Sequence, residues 1–227
     1  KIVDPIWGAR ITGETGKGSF GLLAARDKLP DQGNANFWLG RGKYSLGGEN
    51  YFGLLYSGRE QDRQYNRAIG TDFNFRFWKN HALETNYIHT FTNDPDSRGK
   101  YQGEALSTEY SYSTRSFDGE LVFEHFDNDF RMDTSFYNRT GFNSWELYLS
   151  PRLFPDKKKL PWFHGISPYI HGVYLHDLVT TLDDTFLSVG FEAQFTKQAY
   201  LSFDWGVVDK ESWAGQTFKK GGIAGSL

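Results

Sequence analysis

The sequence predicts an all-β protein: an antiparallel, up-and-down transmembrane β-barrel of which about twelve strands are visible. Three observations carry this expectation. The first is alternation. In "NRAIGTDFNFRF" (66–77), Ile69, Thr71, Phe73, Phe75 and Phe77 fall on one side. Ala68, Gly70, Asp72, Asn74 and Arg76 fall on the other, because successive strand side chains face opposite ways. The second is composition. Aromatic residues make up 18% of the 227 and there are 25 glycines, yet 23% are charged. Apolar lipid-facing residues alternating with polar lumen-facing ones give this mixture. The third is the rhythm of the links, which runs short, long, short, long along the chain. Alternate links of an up-and-down sheet emerge on opposite sides, and outer-membrane barrels keep short periplasmic turns and longer external loops.

The elements follow in order. Residues 8–27 form a hairpin turning at Gly16-Lys17-Gly18. Strands 35–46 and 51–60 turn at Gly47-Gly48-Glu49-Asn50. Strand 66–77 and its partner turn near Lys79-Asn80. Strands 104–116 and 119–126 turn at Ser116-Phe117-Asp118-Gly119. Strands 144–154 and 164–175 are joined by the basic, proline-bounded link 155–161. Strands 185–195 and 199–208 turn at Thr196-Lys197-Gln198. The long links are read at about 27–35, 59–66, 94–103, 127–141, 176–184 and after 209. Two further stripes are clean: Leu187, Val189, Phe191, Ala193, Phe195, and then Leu201, Phe203, Trp205, Val207. Phe77, Trp78, Phe117, Phe154, Trp162 and Phe163 gather at the short-link end, as an interfacial aromatic girdle does.

A net charge of -3 argues against a dedicated nucleic-acid binder. No run of 18 apolar residues exists, so a membrane-spanning helix is excluded. The absence of cysteine suits a protein that crosses an oxidising compartment without disulfides. The first strand runs down into a short turn and the last runs up toward the long links. Bacterial single-chain barrels normally begin and end in the periplasm with an even strand count. The chain is therefore expected to be an internal part of a larger barrel, lacking an odd number of strands at each end.

Three segments carry a resemblance: "DPIWGARITGETGKGSFGLLAARD" (4–27), "NRAIGTDFNFRF" (66–77) and "FEHFDNDFRMDTSFYNRTGFN" (123–143). They resemble an uncharacterised family of bacterial outer-membrane β-barrel domains. In that family the barrel usually follows a module similar to family-nine carbohydrate-binding domains. The resemblance runs in order to about Phe154 and implies an outer-membrane location and a carbohydrate-related cargo. It transfers no activity and no catalytic residue.

Charges on the inward faces are the candidate lumen lining. Asp72 and Arg76 are expected to face Glu84 across a short hairpin. Glu109 and Arg115 are expected on one strand, with Glu120 and Glu124 on the next. Glu146, Arg152, Glu192 and Asp204 continue the ring. Such charges are tolerated against water but cost about 2–4 kcal/mol for a midplane Lys or Arg facing lipid. A solvated wall of salt bridges is the plain reading, and a selectivity lining the sharper one. Glu84 and Glu109 on adjacent strands could reach the spacing of a glycosidase pair, with nothing to single them out. Asp94, Asp96, Asp127, Asp129 and Asp133 are weak calcium candidates. Arg98 and Ala105 stand where an EF-hand loop needs ligands. "GETGKGS" (13–19) lacks phosphate-loop spacing and reads as a turn. The six histidines are scattered without metal spacing, and no G-x-S-x-G elbow is present.

The expected role is passage or capture of a solute, with lipid as the surroundings and no cofactor. The alternatives are a plugged barrel that anchors a binding module or protein partner, and a barrel-embedded hydrolase.

Overall fold

The alternation is realised over longer strands than the sequence suggests. In the computed structural model, which describes residues 5–29, 33–213 and 216–226, the strands are β1 (Pro5–Thr15), β2 (Gly18–Leu29), β3 (Gly33–Gly47), β4 (Asn50–Gln61), β5 (Gln64–Phe77), β6 (His81–Asp94) and β7 (Gly99–Ser113). They continue as β8 (Phe117–Phe126), β9 (Phe142–Pro151), β10 (Phe163–Asp177), β11 (Asp183–Phe195), β12 (Tyr200–Trp213), β13 (Gln216–Lys220) and β14 (Ile223–Ser226). They form one antiparallel sheet in chain order from β1 to β13, with β14 also pairing β12. Among the described residues the only helical element is a 3₁₀ turn, Thr196–Gln198.

All twelve expected strands are present, and two corrections follow. Most of the links read as long are short. β4 and β5 are separated by Asp62-Arg63 alone, and β6 and β7 by 95–98. Past the apolar band both faces of a strand are polar, so a continuing backbone ladder looks like a loop in sequence. Among the described residues, only 127–141 is long on that side. The second correction concerns the end of the chain, read as a loop after 209. β12 continues to Trp213, and β13 and β14 return along it, pairing Asp209 with Lys220 and Trp205 with Ile223. Gly221-Gly222 interrupts the return, where the Gly206 amide donates to the Gly222 carbonyl at 2.9 Å. The last described strand therefore runs back toward the short-link end.

The strands divide between two compact units: Lys1–Arg76, Leu83–Thr108 and His125–Gly141 in one, and Phe77–Ala82, Glu109–Glu124 and Phe142–Leu227 in the other. In the first, the rung Ile11–Leu22–Gly40–Tyr56–Ile69 crosses five strands. Ile11, Leu22 and Ile69 are 53–63% exposed on it. The next rung, Thr12–Gly21–Arg41–Leu55–Gly70, points the other way. The second unit repeats the scheme. Leu149–Ile170–Val189–Trp205–Ile223 is wholly apolar, while Tyr148–His171–Ser188–Gly206 lies on the opposite face. Residues of this size left bare along whole rungs are the lipid-facing side of a membrane barrel. A bulge at Val207 resets the alternation in β12. Val208, opposite Leu187, continues the outward stripe that Val207 was expected to extend.

The aromatic girdle lies at the short-link end as expected. Phe77 and Trp78 meet edge to face with ring centroids 5.1 Å apart. Trp162 stacks on Phe195 at 5.9 Å. Toward the other end the outward face turns polar. Arg67 pairs with Glu60 at 2.5 Å, the Tyr87 hydroxyl donates to Glu104 at 2.8 Å, and His89 reaches Gln102 at 3.1 Å. These groups mark the upper limit of the apolar band.

Candidate functional site

The link between β8 and β9, 127–141, the longest among the described residues, does not stand out in solvent. It lies against the inward face of the first unit, and its own sequence explains why. Phe130 and Met132 alternate with Arg131 and Asp133, so a short stretch of the loop has an apolar and a polar side. Phe130 and Met132 are buried against Ala68 and Ala105, with Leu55, Ile88, Phe126 and Tyr137 around them. The socket is made of small residues. Gly103 completes it: a Cβ there would lie 2.3 Å from the Phe130 amide nitrogen. Burial of two such side chains contributes about 1.5–3 kcal/mol each, offset by the cost of ordering the loop.

Polar contacts fix the register of the loop. The buried Asn66 side chain behaves like a strand edge. Its amide donates to the Arg131 carbonyl at 2.7 Å and to Thr92 Oγ1 at 2.9 Å. Its carbonyl accepts from the Asp133 amide at 2.8 Å. Asp133 is bracketed by Arg59 at 2.9 Å and Arg131 Nε at 2.6 Å. Arg131 also reaches Asp94 at 3.2 Å and the Tyr101 hydroxyl at 3.3 Å. The bond to Asp133 holds the Arg131 guanidinium above its ordinary pKa, against the opposing effect of burial. Thr134 bonds Ser57, lower on β4 than Arg59. The loop thus descends along the wall from Asn66 to Ser57.

These contacts reassign the acidic loop residues. Asp133 and Asp94 face guanidinium groups, Asp129 pairs with Arg98 at 2.7 Å, and Asp96 accepts from Gln64 at 3.0 Å. Among the described residues no three acidic or histidine side chains gather as a metal site would. Of the five weak calcium candidates, Asp94, Asp129 and Asp133 pair with arginines, Asp96 accepts from Gln64, and Asp127 accepts from the Asp129 amide at 3.5 Å. An aspartate between two guanidiniums is already compensated, and cation binding there would have to displace them.

The lumen candidates divide. Asp72 faces inward and pairs with Arg41, through two bonds of which one is 2.6 Å. Gly53 lies between them in the ladder, opposite Asp72 and Lys43. A Cβ at Gly53 would come within 2.5–2.7 Å of Asp72 Oδ1 and the Arg41 nitrogens, so the pair lies in the groove this glycine leaves. Gly53→Val is expected to force the pair apart and destabilise the protein by roughly 1–3 kcal/mol, as overpacking does. Thermal unfolding of the reconstituted protein checks this, and an unchanged midpoint would count against it.

Arg76 keeps the inward parity of Asp72 at the turn end of β5, where it is exposed, pairs with Glu49 at 2.7 Å and accepts an amide contact from Asn50. Arg115 is a correction. β7 ends at Ser113, and Arg115 lies in the turn that follows, its guanidinium 5.4 Å from the Phe154 ring centre. Glu84 shares the inward side of β6 with Ile88 and Thr90, and Glu109 that of β7 with Ala105. Glu120 and Glu124 alternate in phase with Phe126 on β8. Glu146, Glu192 and Asp204 lie on the inward face of the second unit. Glu146 meets His171 at 2.7 Å, Asp204 accepts from Tyr169 at 2.8 Å, and Asp118 pairs with Arg152.

The inward cations of the first unit, Arg10, Arg41, Lys43 and Arg59, were not anticipated from the sequence. Counting parity in "WLGRGKY" (38–44) places Arg41 and Lys43 opposite the Trp38 and Tyr44 face, so the signal was there.

No family model matches the sequence, and no curated protein sequence matches it. Among solved structures, OccK11 (OpdR) of Pseudomonas aeruginosa superposes with a TM-score of 0.52 at 14% identity, over 98% of this chain and 71% of its own. OccK5 (OpdH) of the same organism gives 0.51 at 14% identity, over 96% of this chain and 67% of its own. Both are outer-membrane porins. At this identity the likeness is one of fold. The chain has the architecture of a bacterial outer-membrane β-barrel.

Proposed function

We propose that the protein passes a small hydrophilic solute across the bacterial outer membrane, with loop 127–141 narrowing the path. The observation that carries this reading is the loop seated on the charged inward face, through Phe130, Met132 and the Asn66–Asp133–Arg59 contacts. A loop folded inside a barrel reduces its cross-section and presents fixed charges to whatever passes. Apolar rungs on the opposite face supply the membrane contact. Carbohydrate is the cargo that the family resemblance implies, and it enters as part of the test.

The test is conductance of the purified full-length protein in planar bilayers, with maltose and malto-oligosaccharides added to one side. Discrete, salt-dependent steps are expected. Interruption of the current by the sugars would support carbohydrate as cargo. A folded protein that never conducts would overturn the passage reading.

A further inference from the structure

The inward face of the second unit carries an aromatic stripe that passage of ions and water does not require. Tyr148 on β9 lies opposite His171 on β10, and the Tyr148 and Tyr169 ring centroids are 5.8 Å apart. Phe186 on β11 continues the stripe, 5.5 Å from His171. Tyr169 crosses the neighbouring strand. It stands opposite Gly190, where a Cβ would fall 2.5 Å from its hydroxyl oxygen, and it donates to Asp204 on β12 at 2.8 Å. The missing side chain at Gly190 therefore lets the tyrosine ring lie along the wall instead of standing off it. Packing alone would account for one such ring. It does not account for four aromatic rings on the face that alternates with the lipid-facing rungs.

We propose that this face, between β9 and β12, binds an organic ammonium ion, with Tyr148 and Tyr169 receiving the cation on their ring faces. The chemistry around the rings decides the class. Aromatic faces are negative and attract a cation within about 6 Å, most strongly where water is thinned. The donor of Tyr169 is taken by Asp204, and His171 meets Glu146 at 2.7 Å. Arg152 is tied to Asp118. An anion would find these donors already engaged. Glu192 stands two residues along β11 from Gly190, facing the same way, opposite Ser202. Ionised carboxylates accept and do not donate, so a ligand that brings N–H donors or a bare positive charge is the complementary one. The proposal rests on the passage reading only in giving this face to water.

The experiment is calorimetric titration of the full-length protein in nonionic detergent with choline chloride. The comparison ligand is 3,3-dimethylbutan-1-ol, which has the same shape without the charge, corrected for micelle uptake. Choline is expected to bind and the alcohol not to. Tyr148→Leu is expected to weaken choline binding about tenfold, the size of a partly desolvated cation–π contact. Tyr169→Phe keeps the ring, loses the Asp204 bond, and is expected to weaken it less. The mobility difference between heated and unheated protein on gels confirms that each variant is folded. Equal binding of choline and the alcohol, no binding of choline, or an unchanged Tyr148→Leu variant would each overturn the assignment. So would displacement of choline by maltose at matched concentration. A protein that binds choline but never conducts would leave this inference standing and remove the passage reading. A conducting protein that ignores choline would do the reverse.

Discussion

Replacing residues 130–135 with a glycine–serine linker of equal length is expected to raise single-channel conductance about twofold or more, since the loop occupies cross-section that ions would use. The replacement removes Phe130 and Met132 from their socket, the Asp133 link to Arg59, and the Thr134 bond to Ser57. Only the Asn66 bonds to the segment's backbone can then re-form, and a segment without its apolar socket and arginine link is expected to lift from the wall. A point variant separates loop position from loop composition. Gly103→Val leaves every loop residue in place but puts a branched side chain where the Phe130 backbone lies, 2.3 Å from the new Cβ. The backbone cannot give way as a flexible side chain would, so the loop must lift. Both variants are expected to raise conductance together and to add current noise. If the linker variant conducts like the parent, the loop does not narrow the path and the proposed role for it fails.

Leu54→Lys is expected to cost about 2–4 kcal/mol of stability in phospholipid vesicles, the cost of a lysine near the bilayer midplane. Leu54 pairs with Thr71 on the outward face and is 55% exposed, in the middle of a band that runs on β5 from Phe77 to Ile69. The control is Thr12→Lys, on the inward rung beside Gly21 and Arg41. There the ammonium meets water, and a change of well under 1 kcal/mol is expected, as for other substitutions on a solvated surface. Urea unfolding of both variants from the same vesicles measures the difference. Equal costs would mean that the apolar rungs do not face lipid.

The aromatic girdle and the outward stripes were legible because both depend on local spacing. A period of two assigns faces without knowledge of any partner strand, and Leu187, Val189, Phe191 and Ala193 keep it through β11. Face assignment also placed Asp72, Glu109, Glu146, Glu192 and Asp204 inward. It failed for Arg115 because the error was one of boundary: β7 stops at Ser113, and beyond a strand end parity has no meaning. It is silent on Arg41 as the partner of Asp72, because a salt bridge across two strands depends on register and on the groove at Gly53. The return strand β13–β14 was missed because β13 is only five residues long and the Gly221-Gly222 link and the small residues of β14 carry little periodic signal. It is held instead by the backbone of β12.

Alternation and composition, taken alone, determined that this is a membrane β-barrel chain and which side of each strand meets lipid, because solvent sorts side chains residue by residue. The tertiary structure decided the rest. Loop 127–141 reads as an acidic, solvated tip, yet Asp133 pairs with Arg59, Arg131 with Asp94 and the loop backbone with Asn66, three positions far from it in sequence. Only the sheet brings those partners within reach. A loop's destination is set by the complementarity of the surface it lands on, and no local pattern in the loop encodes that surface.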